Sequence, residues 1–230
     1  DTIAATMPLR PAWPILGFIS LAHPYGFSIL LRPLLLPAIP LLLAGAGLPD
    51  LPKRAAALER YLTLPAVPAL WRTWQDADAI PQNVRLAISA GAPLPVGLEQ
   101  SVFAARGLKI HNFYGSSECG GIAYDTSAGP RLDGACAGAP LLNVHLVVAE
   151  DGCLEVRSKA VGRTYWPEPD PSLRAGIFRT NDLAEISYGL VYLRGRASDQ
   201  INVAGRKVSP ETIERTLQSH PAVHECLVFG

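Results

Sequence analysis

Short runs of consecutive apolar residues, each closed by a turn, fill the first half of this chain. The second half alternates apolar and polar residues at a period of two. Val84-Arg85-Leu86-Ala87-Ile88-Ser89 is one apolar run, closed by Ala90-Gly91-Ala92-Pro93, and it predicts a strand. Pro95 to Arg106 then reads as a helix with Gly107 as its stop, and Gly107-Leu108-Lys109-Ile110 leads into a second strand. Strand, helix, strand at this spacing is a βαβ unit and implies a parallel sheet. Upstream, residues 15–22 predict another buried strand, 23–27 a turn and 28–36 a short helix. Residues 34–43, interrupted by Pro37 and Pro40, predict extended chain, and 53–62 follow helical spacing. Pro68 precedes a helix that begins over Ala69 to Trp74. Trp71 and Trp74 share one face of that helix and are assigned to the core.

From Gly134 the period changes. Val144 to Val148, the turn Asp151-Gly152 and Cys153 to Ser158 predict a β-hairpin. Residues 176–179, 183–187 and 191–194 predict further short strands, with Asp182 in a turn between two of them. Closely spaced strands with glycine turns suggest a small barrel-like unit. Ser209-Pro210-Glu211 opens a helix, with Ser209 as N-cap and proline at the first position, and Val223 to Phe229 predicts a last strand. The expected class is α/β. Residues 1–130 form a parallel sheet with flanking helices, 131–197 a small β-barrel-like subdomain, and 198–230 a hinge and the start of an α+β C-terminal subdomain.

Composition changes this picture little. A chain of 230 residues, 49% hydrophobic, can bury a sizeable core. Its 20 basic and 20 acidic residues balance, which argues against nucleic acid as a partner. Pro11 to Leu31 lacks Asp, Glu, Lys and Arg over a length that could span a bilayer. Its prolines and glycines break it into short buried pieces, so no membrane span is expected. The start lacks the basic region of a signal peptide. The four cysteines form no CxxC pair, which argues against zinc and suggests a reduced, cytoplasmic setting.

The candidate chemistry lies in His111-Asn112-Phe113-Tyr114-Gly115-Ser116-Ser117-Glu118-Cys119-Gly120-Gly121. An aromatic ring can stack on a base, and a glycine lets backbone approach a ligand. Two hydroxyls can bond phosphate oxygens, and a carboxylate can hold Mg²⁺ beside them. A polar loop with a capping glutamate is the plainer interpretation of this stretch alone. A nucleophile elbow fits poorly, because Cys119 stands where GxSxG needs its last glycine.

Two further stretches complete a set: Ser89-Ala90-Gly91-Ala92-Pro93-Leu94, and Thr180-Asn181-Asp182 followed by Tyr192 to Glu214 with Arg196 inside it. In this order and spacing the three resemble the adenylate-forming (AMP-binding) superfamily, its acyl- and aryl-CoA synthetase branch above all. The resemblance implies ATP-dependent activation of a carboxylic acid to an acyl-adenylate, then transfer to CoA, with ATP/AMP, Mg²⁺ and CoA as ligands. It implies that Gly91, Ala92, Pro93, Asn112 and Tyr114 line the adenine and that Gly115 belongs to the same loop. Ser117 and Glu118 match the phosphate and magnesium residues, Asp182 the ribose contact, and Arg196 an arginine near ribose and phosphates. His23 matches a histidine at the edge of the acyl pocket, and Gly205 a loop lining the pantetheine tunnel.

Three departures stand out. Asn181 replaces the usual glycine before the aspartate, Ser198 occupies the hinge position, and the Ser/Thr/Gly-rich phosphate loop has no copy in the chain. Gly45-Ala46-Gly47 is too short for that loop, and Lys207 does not replace the lysine of adenylation. The chain taken alone is therefore expected to hold nucleotide without adenylating at a useful rate. An adenylation domain loading an acyl carrier protein is one alternative, though the residues around His23 lack the acid that pairs with an amino-acid amine. A non-catalytic fragment retaining the fold is another.

Overall fold

The computed structural model describes residues 2–17, 19, 25–26, 29, 41–43, 55, 57–203, 206–218, 220, 222–223 and 226–229. Its first half holds helix α1 (Thr2–Thr6) and strands β1 (Ile15–Gly17), β2 (Leu41–Leu43), β3 (Leu62–Ala66), β4 (Val84–Ser89) and β5 (Ile110–Ser116). Helices α2 (Pro68–Asp76) and α3 (Val96–Arg106) follow β3 and β4. The neighbours β2-β1-β3-β4-β5 all pair in parallel. Helix α2 starts on Pro68, whose missing N–H costs nothing at a first position. Helix α3 ends at Gly107, which adopts φ +63° and donates its N–H to the Phe103 carbonyl at 2.7 Å.

Alternation along the strands sorts side chains to two faces. Leu62, Leu64, Ala66, Ala87 and Ile110 pack under Leu98, Val102, Trp71 and Trp74 of the two helices. The tryptophans are fully buried, edge to face at 5.4 Å, and Trp71 Nε1 donates to the Ile88 carbonyl at 3.2 Å. The opposite face carries Leu86 and Ile88 and joins a second cluster with Met7, Ile122, Leu141, Leu154 and Val191.

The second half is antiparallel. Strands β6 (Gly120–Tyr124), β7 (Cys136–Pro140), β8 (His145–Val148), β9 (Cys153–Arg157), β10 (Leu173–Arg174), β11 (Ile177–Ser187) and β12 (Leu190–Arg196) extend the same sheet in the order β5-β6-β7-β12-β11-β9-β8, with β10 on β11. Within this half β7 crosses β6 closely at Gly138, at φ +102°, where a Cβ would lie 2.2 Å from the Tyr124 backbone, so only glycine fits. A hairpin of β13 (Ile201–Val203) and β14 (Arg206–Val208) then leads to α4 (Pro210–Gln218), which lies against β12 through Arg215 Nη1 to the Leu193 carbonyl.

Four charged side chains are buried where these parts join. Glu99 of α3 pairs with Lys109 through Oε1 and with Arg131 Nε through Oε2 at 2.9 Å, and Lys109 Nζ also lies 2.6 Å from Asp125 Oδ2. Arg131 adds Nη1 to the Cys136 carbonyl and Nη2 to the Leu94 carbonyl, both at 2.7 Å. Glu99 is 0% exposed, so each of its oxygens depends wholly on these partners.

Several local expectations are corrected. Residues 177–187 form one strand rather than two around a turn. Thr180 Oγ1 donates to the Leu154 carbonyl and accepts the Asp182 N–H, which absorbs a register shift without ending the strand. Of the helix expected over 53–62, Ala55 is helical, residues 53, 54 and 56 lie outside the described residues, and the segment ends in a turn, Leu58 N–H to Ala55 carbonyl, closed by Glu59 at φ +46° before β3 starts at Leu62. Residues 226–229 are not a strand; Val228 N–H bonds Glu214 Oε1 instead. Ser209 precedes α4 as expected, but its hydroxyl donates to Glu211 Oε2 at 2.6 Å. The strand expected over 15–22 is seen from 15 to 17, and most of the helix expected over 28–36 lies outside the described residues.

Removing one charge from the buried network should be costly. Glu99→Gln is expected to destabilise the chain by about 3–5 kcal/mol, the scale for breaking one side of a buried ion pair. It would be read as a lower urea midpoint with an unchanged slope. A second prediction concerns acid. His111 Nδ1 donates to the Asp125 carbonyl at 2.9 Å, and its ring stacks on Tyr124. Burial, with Lys109 nearby, lowers its pKa below the usual 6.5 against the pull of that carbonyl. Below 6.5 the unfolded chain therefore takes up a proton that the fold refuses, and stability falls with pH towards the depressed folded value. Asp125 follows lower down: burial raises its carboxyl, the bonds from Lys109 and Ser127 outweigh burial, and the net shift is below 3.8. Its stabilising effect is thus lost only as pH falls under 3.8. His111→Asn, which keeps a donor but cannot titrate, is expected to flatten the melting temperature between pH 6.5 and 5 and leave the loss below pH 4 in place.

Candidate active site

Strand β5 carries Asn112 on the same side as Ser89 and Ile110, because alternate residues share a face, while Tyr114 packs against the second cluster. Its parallel register with β4 pairs Ser89 with Asn112, so the Gly91-Ala92-Pro93 turn continues from β4 beside Phe113 and Tyr114. Gly91 takes φ +86°, and the three turn residues are exposed while Leu94 is buried. Gly115 is required by the hairpin itself: a Cβ there would lie 2.5 Å from the Gly120 carbonyl of β6.

Strand β11, remote in sequence, meets β5 at Tyr114. Tyr114 donates its phenol to Asp182 Oδ2 at 2.5 Å, and Arg196 Nε donates to Asp182 Oδ1 at 3.2 Å. Asp182 and Arg196 face each other across the β11–β12 ladder, which fixes that second contact. Burial, then the adjacent Asp182 charge, raises the Tyr114 pKa, so the phenol stays a donor at neutral pH. A carboxylate offers about four acceptor sites; two are taken here, leaving room to receive hydroxyls from a ligand. Arg196 remains largely exposed, a cation at the rim.

Glu118 sits in the turn between β5 and β6. Its carbonyl accepts the Gly162 N–H at 2.7 Å, and its Oε1 accepts the Tyr165 phenol at 3.1 Å. Burial and the Glu118 charge raise the Tyr165 pKa, so that bond also persists. Among the described residues no cluster of three His, Cys, Asp or Glu could enclose a metal. One carboxylate suffices for Mg²⁺, which keeps several waters and takes phosphate oxygens as ligands. Ser117 is exposed beside Glu118. Ser116 Oγ lies 3.1 Å from Cys119 Sγ, and burial pushes the Cys119 thiol up to about 11, so it is no nucleophile at neutral pH.

Of the residues singled out from sequence, Tyr114, Asp182 and Arg196 are joined by direct bonds. Glu118, Ser117, Asn112 and Gly115 lie on the same strand and its turn, and Gly91, Ala92 and Pro93 on the neighbouring turn. His23 and Gly205 lie outside the described residues. Tyr165 and Thr180, which hold Glu118 and the Asp182 backbone, were not anticipated. Tyr165 sits in an irregular segment with no periodic signal, and Thr180 looked like part of a turn.

Comparison with known proteins bears on this geometry. The family model described as AMP-binding enzyme matches residues 2–166. A probable 2-succinylbenzoate–CoA ligase of Mycobacterium tuberculosis is 31% identical over 221 residues, covering 90% of this chain and 54% of its own. Triostin synthetase I of Streptomyces triostinicus is 31% identical over 191 residues, 75% of this chain and 36% of its own. The crystal structure of ATP-bound MatB from Rhodopseudomonas palustris superposes with a TM-score of 0.87 at 22% identity, over 100% of this chain and 49% of that one, a likeness of fold. The chain spans about half the length of the Mycobacterium tuberculosis ligase and of MatB. No helix among the described residues is long and apolar enough to cross a membrane. The sheet of the fold, the turns at its strand ends and the family match agree: this chain belongs to the AMP-binding enzyme family.

Proposed function

We propose that this chain supplies the nucleotide side of a site that activates a carboxylic acid as its acyl-adenylate and passes the acyl group to the thiol of CoA. The observation that carries this reading is the Tyr114–Asp182 bond, which joins the two sequence stretches a nucleotide site needs. In the reading, the Asp182 carboxylate accepts the ribose hydroxyls, held in place by Tyr114 and steered by Arg196. Tyr114, Asn112 and the Gly91-Ala92-Pro93 turn flank the adenine, with Gly115 keeping the hairpin tight behind them. Ser117 donates to phosphate oxygens. Glu118 is the residue that would hold Mg²⁺, which would supply charge neutralisation at those oxygens, and Tyr165 keeps the Glu118 carboxylate turned to one position. His23 and Gly205 are assigned to the acyl edge and the thiol approach.

Adenylation makes the carboxyl carbon open to attack by replacing a poor leaving group with AMP; the protein contributes position and charge. A carrier protein's thiol is the alternative acceptor, supported by the similarity to Triostin synthetase I. The four free cysteines fit a reduced, cytoplasmic setting. Residues 198–230 are assigned to the start of a C-terminal unit that meets the site through the hinge at Ser198 and Asp199.

Calorimetric titration with AMP tests the ribose contact. Asp182→Ala is expected to weaken AMP at least tenfold, and Tyr114→Phe about three- to tenfold, the range for one hydrogen bond to a charged or neutral partner. Unchanged affinity in both variants would remove the basis of the reading. Glu118→Gln is expected to leave AMP affinity near the parent value while abolishing the strengthening of ATP binding by Mg²⁺. The measurement is ATP titration with and without the cation.

A further inference from the structure

On the sheet face turned away from α2 and α3 lies a small cavity of about 40 Å³. Its walls include Ile3, Met7, Ile15, Ile88, Phe113 and Thr63, and none of its described lining residues is charged. The cavity adjoins the candidate site: its wall residue Phe113 packs against the same cluster, with Met7 and Ile88, as Tyr114 does. Tyr25, which also lines the cavity, stands against the Gly91 turn, its Cδ1 4.0 Å from where a Gly91 Cβ would be.

Thr63 breaks the apolar pattern of the wall. It is 1% exposed, and its hydroxyl has no hydrogen-bond partner. Its backbone is satisfied by the Pro14 carbonyl at 2.9 Å, so the side chain alone is left over. A buried hydroxyl without a partner is destabilising, and valine would fill the same space without that cost. A strand position that keeps threonine under these conditions has a hydroxyl available to something that enters the cavity.

We propose that the cavity takes the tail of the acid substrate and that Thr63 selects its chemistry. The substrate class is a short aliphatic monocarboxylic acid bearing one keto or hydroxyl oxygen along its chain. The size follows from the volume, which holds about three water-sized groups. The single carboxylate follows from the uncharged described lining, since a second one beside those residues would be buried without a cation. The inference rests on the acid-activating reading above.

The test is calorimetric titration of the 230-residue chain, saturated with AMP, using hexanoate, 5-oxohexanoate, 5-hydroxyhexanoate and adipate. The oxo or the hydroxy acid is expected to bind about three- to tenfold tighter than hexanoate, and adipate weakest. Thr63→Val is expected to abolish that preference and to raise the melting temperature of the ligand-free chain, while Thr63→Ser retains the preference. Failure of the acids to bind, equal binding of all four, a preference that survives Thr63→Val, or a lower melting temperature in that variant would each overturn the proposal. The AMP arm separates the two levels. AMP bound by the parent and lost in Asp182→Ala, with no discrimination among acids, removes only the role of Thr63. No binding of AMP by the parent removes the reading beneath it.

Discussion

The contact on which the rest of this fold depends is the buried set Glu99, Lys109, Asp125 and Arg131. Two acids and two bases lie out of water, and each is tolerable only because the others are in place. Helix α3, the lead into β5, the end of β6 and the loop before β7 each contribute one member. The parallel and antiparallel halves therefore cannot separate without exposing unpaired charge to an apolar interior. Ion pairs of this kind add little net stability over a well-packed apolar core, but they permit far fewer alternative arrangements. Here that selectivity fixes the register of β5, the strand that bears Asn112 and Tyr114.

The site inherits its precision from that register. Tyr114 reaches Asp182 across 68 positions of sequence, and the reach works only if β5 and β11 are held at the right height in one continuous sheet. Arg196 then needs no separate device, because the β11–β12 ladder sets it opposite Asp182. Glu118 is treated differently. It lies in a turn, where backbone freedom is greatest, and two contacts from the Gly162–Tyr165 segment hold it. Rigid elements position one group, and a clasp from a distant loop positions the other.

Much of this architecture is legible in the residues alone. The run at 84–89, the helix to Arg106 and the glycine after it are local signals, and local physics decides them. The hairpin at 145–157 is equally local. Asp182 shows the limit. Thr180-Asn181-Asp182 has the composition of a turn, yet the Thr180 hydroxyl substitutes for strand partners and carries β11 through. The buried charges are invisible for a related reason: a lone Glu, Lys, Asp or Arg reads as surface, and only the fold brings the four together. Tyr165 gives no signal, since nothing in its neighbourhood is periodic and its partner lies 47 residues away. The grouping of Tyr114, Asp182 and Arg196 was legible because three short motifs kept their order.

Gly138 has a bearing on how such a chain can vary. Its α-carbon rests against the backbone of Tyr124 and Asp125, with no room for even a methyl group. The seam between β6 and β7 is thus main chain against main chain, and side-chain substitution cannot compensate for a change in it. Segments exchanged between relatives would have to carry residues 124–138 as one inherited block, while the loops at either end of the sheet are free to diverge. The part of the protein most tolerant of recombination lies at its rim, and the least tolerant part is a single hydrogen-sized gap at its centre.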